Sequence, residues 1–173
     1  MKLLTGNLGR SVSKISAIAE EYRYVKAPAQ VFHTQDDMLS AYKAGELNKD
    51  VVVVLKYQGP RANCMPELHK LIPALLSLQD QGYKVALVTD GRMSGASGKV
   101  PNAIHLTPET LNNENFAKII DGDIIELDLN SGILELHVTY EVLQERNLVH
   151  PDLSANSIGF GRNLFSHLRN NLS

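Results

Sequence analysis

Two short apolar runs stand out in an otherwise mixed chain, Val51-Val52-Val53-Val54-Leu55 and Val85-Ala86-Leu87-Val88. Neither alternates with polar residues, and continuous β-rich runs of this length predict strands buried on both faces, at 51–55 and 84–88. Between them Leu68, Leu71, Ile72, Leu75 and Leu78 recur with the period of a helix. That helix is expected over 66–81, with Pro66 in its first turn and Gly82 as its C-terminal cap. Pro73 falls inside the run and should kink or split it. The strand–loop–helix–strand order is that of half a doubly wound unit.

The flanks have a different character. Residues 6–13 are polar and glycine-punctuated, which reads as a loop leading to a short strand at 14–18. Residues 35–44 carry acids first and end at Gly45, the pattern of a helix with a complemented dipole and a glycine cap. After a short strand at 103–106, Thr107-Pro108-Glu109 starts a turn. Asp121-Gly122-Asp123 then opens a hairpin of strands 123–129 and 133–138 around Asn130-Ser131-Gly132. Short helices are expected at 140–146 and 161–172. The fold class is therefore mixed α+β: a β-rich, barrel-like body with flanking helices, forming one domain over residues 1–173.

Composition narrows the function. A net charge of −2 implies no general attraction to nucleic acid or an anionic membrane. No run approaches the length of a membrane span, and residues 1–7 lack the apolar stretch of a signal peptide. A single cysteine excludes an internal disulfide and fits a reducing cytosol. It also excludes a cysteine-ligated iron–sulfur cluster held by this chain alone.

Each strand predicted above runs directly into a glycine-rich loop: Gly59-Pro60-Arg61-Ala62-Asn63-Cys64-Met65-Pro66-Glu67 after the first, and Asp90-Gly91-Arg92-Met93-Ser94-Gly95-Ala96-Ser97-Gly98-Lys99 after the second. Ends of parallel strands are where open α/β sheets bind ligands. The second loop is not a phosphate loop, because Met93 occupies the position of the first glycine and Val100 follows Lys99. Glu67, near a predicted helix start, is a candidate metal ligand or acid–base group as well as a simple dipole partner. His69 and Lys70 read as a solvated face. The remaining histidines lack zinc-ligand spacing, Asp121-Gly122-Asp123 lacks the later ligands of a calcium loop, and Cys64 has no basic partner to activate it.

At these loops the sequence resembles the dihydroxyacid and 6-phosphogluconate dehydratase family, over essentially the whole chain and most closely its C-terminal domain. The resemblance rests on Thr5-Gly6-Asn7-Leu8-Gly9-Arg10, Gln58-Gly59-Pro60-Arg61-Ala62-Asn63, Met65-Pro66-Glu67-Leu68-His69-Lys70 and the stretch from Val85 through Thr89-Asp90-Gly91-Arg92-Met93-Ser94 to Pro101. Asp121-Gly122-Asp123-Ile124-Ile125 also fits. Leu68-His69-Lys70 and Gly98-Lys99-Val100-Pro101 mark the phosphogluconate branch. The family usually has glycine where this chain has Cys64.

The resemblance implies a swivelling β/β/α domain similar to that of aconitase-like enzymes. It implies dehydration of 6-phosphogluconate to 2-dehydro-3-deoxy-6-phosphogluconate, the water-eliminating step of the Entner–Doudoroff route in the cytoplasm. Another sugar acid or dihydroxy acid is the alternative substrate, and a non-catalytic ligand-binding or assembly module the alternative role. In family members a separate N-terminal part supplies the cysteines of an iron–sulfur cluster and most Mg²⁺ ligands, and the full-length protein is expected to be a homodimer. Carried onto matching positions, Ser94 is the base that removes the proton beside the carboxylate and Glu67 completes the Mg²⁺ coordination. Arg92, or the loop amides, would help to hold substrate oxygens, while Lys99, Lys70 and His69 are candidates for the phosphate. The isolated chain is expected to bind no cluster and to be inactive.

Overall fold

A computed structural model describes residues 1–94 and 98–171. Eight strands close into a barrel: β1 (Lys2–Gly6), β2 (Gly9–Ser13), β3 (Tyr24–Phe32), β4 (Val51–Leu55), β5 (Val85–Thr89), β6 (Asn102–Thr107), β7 (Ile124–Asp128) and β8 (Ile133–Leu136). Around the ring their order is β1-β2-β6-β5-β4-β3-β7-β8. Among the described residues seven α-helices flank the barrel: α1 (Gln35–Lys43), α2 (Pro60–Asn63), α3 (Ile72–Asp80), α4 (Glu114–Ala117), α5 (Tyr140–Glu145), α6 (Phe160–Leu164) and α7 (Ser166–Asn170).

The adjacent strands β3, β4, β5 and β6 run parallel, as the crossover connections between them require. The other pairs are antiparallel, except that β1 and β8 meet in parallel at Thr5 and Ile133 to close the ring. At that seam the amide of Asn7 donates to the Leu136 carbonyl and its carbonyl accepts from the Leu136 N–H, both at 2.8 Å. The backbones approach so closely that a Cβ on Gly6 would overlap the Leu134 carbonyl oxygen.

The continuous apolar runs have a direct physical reason. In β4, Val52 and Val54 enter the barrel interior, while Val51, Val53 and Leu55 enter a second core outside it. Ala86 and Val88 of β5 divide from Val85 and Leu87 in the same way. Met38 of α1 and Leu75 and Leu78 of α3 cover the outer core. All five β4 residues are fully buried, and each such side chain contributes about 1.5–3 kcal/mol of transfer free energy.

Phe116 of α4 and Leu143 of α5 join the inner core. Lys56, just past β4, is buried and donates from Nζ to the carbonyls of Ala117 and Ile119, both at 2.6 Å, satisfying the end of α4. Desolvation pulls its ammonium down to about 8, opposed by the charge of Asp123 and reinforced by Arg146. Arg146, after α5, grips Asp123 with both terminal nitrogens at 2.6 and 2.8 Å.

Several elements differ from the sequence expectation. The strand expected at 14–18 is absent, and the supposed loop at 6–13 carries β2. The helix expected from Pro66 starts only at Ile72, after a 3-10 turn at His69–Leu71. Glu67 instead forms a parallel bridge with Arg92, which holds the chain extended. Pro73 thus lies in the first turn, where its missing N–H costs no helical bond. The terminal helix is broken at Phe165 into α6 and α7, and its expected end at Leu172 lies outside the described residues.

Candidate active site

Leu55 of β4 pairs with Thr89 of β5, so the two glycine-rich loops leave the barrel side by side. In the first, Gly59 caps α2 and Pro60 occupies the helix start. Cys64 and Met65 then take left-handed backbone conformations, φ 56° and 50°, turning the chain back towards the second loop. The Glu67–Arg92 bridge and a bond from Leu68 N–H to the Arg92 carbonyl (3.2 Å) join the loops.

Glu67 is the hub of this junction. Its Oε1 accepts from the backbone N–H of Ser94 at 2.8 Å and of His69 at 3.1 Å. Its Oε2 accepts from Arg92 Nη1 at 2.8 Å, while Arg92 Nε donates to the Met65 carbonyl at 2.9 Å. The Arg92 and Glu67 side chains are 47% and 36% exposed, so the pair adds at most about 1 kcal/mol. What it does is hold Glu67, Arg92 and Ser94 in one cluster open to solvent.

Two carboxylates that the sequence reading did not single out brace the loops from beneath. Asp90 is buried and accepts from Gln58 N–H (2.8 Å), Thr110 N–H (2.9 Å) and Thr110 Oγ1 (2.6 Å). Glu109 accepts from the backbone N–H groups of Arg61 at 3.1 Å and Ala62 at 3.3 Å. Burial pushes the Glu109 carboxyl above its usual range, the two backbone donors oppose that, and Asp90 adds to it. The only signals available in the sequence were an acid directly after a strand and a Pro-Glu turn.

His105 is the other unforeseen neighbour. Between Arg10 and Val12 of β2 there is one residue, whereas between their partners Thr107 and Ile104 of β6 there are two. The extra residue makes a β-bulge in which His105 has φ 54° and donates its N–H to the Gly91 carbonyl at 2.9 Å. Its side chain lines a cavity of about 210 Å³ together with Ser94 and Met93. It also lines a neighbouring one of about 450 Å³ with Asp90, Glu109 and Met65. Among the described residues, the non-glycine residues with positive φ are Tyr57, Cys64, Met65 and His105. All lie in or beside this loop cluster, a concentration typical of functional sites.

The other candidates are more dispersed. Lys70 donates to Asp36 Oδ1 of α1 at 2.7 Å and lines a separate cavity of about 410 Å³ with His33 and Arg162. Lys99 is exposed, and its carbonyl faces Gln79 of α3 at 3.5 Å. His69 meets the cluster through its backbone N–H. Arg61 donates to Asn112 Oδ1, and Arg169 of α7 donates to Cys64 Sγ, both at 3.1 Å. Gly95, Ala96 and Ser97 of the second loop lie outside the described residues.

Among the described residues no three His, Cys, Asp or Glu side chains gather as a metal site. Glu67 has the chemistry of one Mg²⁺ ligand, since Oε2 meets a single protein donor and the side chain reaches solvent. The remaining ligands would come from beyond the described residues, with water among them. Cys64 is its one thiol, so the ligands of a thiolate-held cluster would likewise be external.

Residues 1–172 match the family model described as dihydroxy-acid/6-phosphogluconate dehydratase C-terminal. The chain is similar to the phosphogluconate dehydratases of Escherichia coli, at 54% identity over 99% of the chain, and Pseudomonas aeruginosa, at 51% over 100%. It covers 28% of the length of each. A dihydroxy-acid dehydratase of Ruminiclostridium cellulolyticum is 33% identical over 83% of the chain and 26% of its own length. No helix among the described residues is long and apolar enough to cross a membrane. The chain belongs to the dihydroxy-acid/6-phosphogluconate dehydratase C-terminal family.

Proposed function

We propose that this chain is the C-terminal domain of a 6-phosphogluconate dehydratase, a hydro-lyase of the Entner–Doudoroff route acting in the cytoplasm. The observation that carries the reading is the 2.8 Å bond from Ser94 N–H to Glu67 Oε1, which sets the serine beside the carboxylate at the ends of two adjacent parallel strands. In the longer protein, a homodimer, residues 1–173 act as a swivelling β/β/α domain that closes this loop cluster over a site shared with the N-terminal part.

Ser94 takes the proton from the carbon next to the substrate carboxylate. A serine hydroxyl does this only where positive charge stabilises the alkoxide, and Arg92 is a cation of the same cluster. Arg92 also orients substrate oxygens. Glu67 is one ligand of Mg²⁺, its carboxylate held in place by the Ser94 and His69 N–H groups. A bound divalent cation and an iron–sulfur centre would supply Lewis-acid stabilisation of the substrate hydroxyls. The phosphate is received by Lys70 and Lys99 with His69, which requires the flexible lysine stems to leave their present positions.

The test is turnover of 6-phosphogluconate by the longer protein containing this domain, assembled anaerobically with iron, sulfide and Mg²⁺. Formation of the 2-keto-3-deoxy product supports the reading. A preference for an unphosphorylated dihydroxy acid would reassign the substrate, and the absence of any dehydration would leave the domain as a binding module.

A further inference from the structure

The proposed reaction has two proton events on neighbouring carbons. Loss of the C2 proton and the C3 hydroxyl leaves an enol, and the keto product then requires a proton at C3 while the enol oxygen loses its own. Ser94 accounts for the first event only.

Besides His105, the described residues that share a cavity with Ser94 are Met1, Lys14, Met93, Gly98, Asn102 and Ile104. Asn102 is buried and uses its amide on the Val100 carbonyl at 2.8 Å, and Met93 and Ile104 are apolar. Lys14 also lines the cavity, at the end of a long flexible stem. Imidazole is the side chain that most often serves as a general acid or base. His105 is thus the residue of this cavity suited to carry the second proton.

The backbone supports a functional placement. In a regular strand His105 would follow Ala103 in pointing into the barrel interior, since Ala103 is an inner-core residue and Ile104 an outer one. The extra residue of the bulge cancels that alternation. Leu106 points inward in its stead, and His105 is turned out beside Ile104 into the cavity. A non-glycine residue at φ 54° costs about 1 kcal/mol or more. The bond from its N–H to the Gly91 carbonyl fixes the bulge against the start of the loop that carries Arg92 and Ser94. Base and histidine are therefore positioned by the same backbone contact.

We propose that His105 is a second catalytic residue, which delivers a proton from its imidazolium to C3 of the enol. The enol hydroxyl releases its proton to solvent, and solvent reprotonates the ring, so no oxidant or reductant takes part. The inference rests on the dehydratase reading.

The test uses the longer protein in D₂O, with 6-phosphogluconate as substrate and early-time NMR of C3 before the ketone itself exchanges. Wild type should place deuterium on one face of C3. His105→Gly suits the left-handed backbone, so the bulge is kept while the ring is lost. Its product should carry deuterium on both faces about equally, with turnover lowered at least about tenfold and partly restored by added imidazole. His105→Gln should show the same scrambling without the rescue. One-faced deuteration at near-normal rate in both variants would overturn the role of His105 while leaving the dehydratase intact. A wild-type protein that dehydrates no sugar acid would overturn both readings together.

Discussion

Gly59 packs its bare Cα against the side chain of Glu109: a Cβ there would overlap Oε2 of Glu109 and lie 2.8 Å from its Cβ. The same added carbon would sit 3.0 Å from Asp90 Oδ2. The backbone at Gly59, φ −68° and ψ 177°, suits any residue, so contact alone demands the glycine. Gly59→Ala should therefore destabilise the domain by about 1–3 kcal/mol. Adding Glu109→Ala should recover part of that loss in urea unfolding, and a purely additive double variant would contradict the contact.

In the longer enzyme, Ser94→Ala should lower kcat by at least about 1000-fold, because proton abstraction has no substitute. Glu67→Gln should act differently. Its amide keeps one acceptor for the Ser94 N–H but loses the charge, so the Mg²⁺ requirement and KM should rise together. Titrations of rate against Mg²⁺ would separate the two variants.

Lys70→Ala and Lys99→Ala should each lose efficiency on 6-phosphogluconate while affecting unphosphorylated gluconate little. Equal losses on both substrates would assign the lysines to loop structure. In Lys70→Ala the pair with Asp36 is lost as well, but that pair is exposed and screened by solvent.

Cys64 has φ 56° and ψ 29°, a conformation in which glycine is unstrained. Cys64→Gly should thus be neutral or stabilising by up to about 1 kcal/mol, despite losing the thiol contact with Arg169. Urea midpoints of the two proteins decide it; a clear loss of stability would show that the Arg169 contact outweighs the backbone strain.

Lys56 has a folded-state pKa of about 8, against 10.5 ordinarily. Between those values the unfolded chain holds more protons than the folded one, so stability should rise with pH across that window. The full rise is on the order of 3 kcal/mol. Lys56→Met should lack it, and the difference between the two proteins' stability curves from pH 7.5 to 10 isolates the effect.

How much of this was legible in the sequence depended on the kind of signal. Strands β4 and β5 were plain because two cores claim their alternate residues, leaving no polar position. Strand β3 was missed although Val25, Ala27 and Ala29 alternate inward, because Pro28 and the two alanines weaken a strand pattern. Pro28 sits where the strand changes its pairing from β7 to β4. In β1 only Leu4 is buried, too little for a period. The loops carrying Glu67, Arg92 and Ser94 were visible as motifs. Asp90, Glu109 and His105 were not, since their importance lies in backbone bonds between segments distant in sequence.

The ring of strands closes through Asn7, whose amide takes the place of a ladder rung between β1 and β8. Counted around the ring, that closure lies opposite the β4–β5 ladder from which both loops emerge. A lesion at Asn7 would therefore uncover two strand edges, the template on which chains recruit one another into aggregates. It would do so at the greatest remove around the ring from Ser94 and Glu67. Solubility and chemistry can thus be damaged independently in this domain, and an insoluble variant is no proof of a broken site.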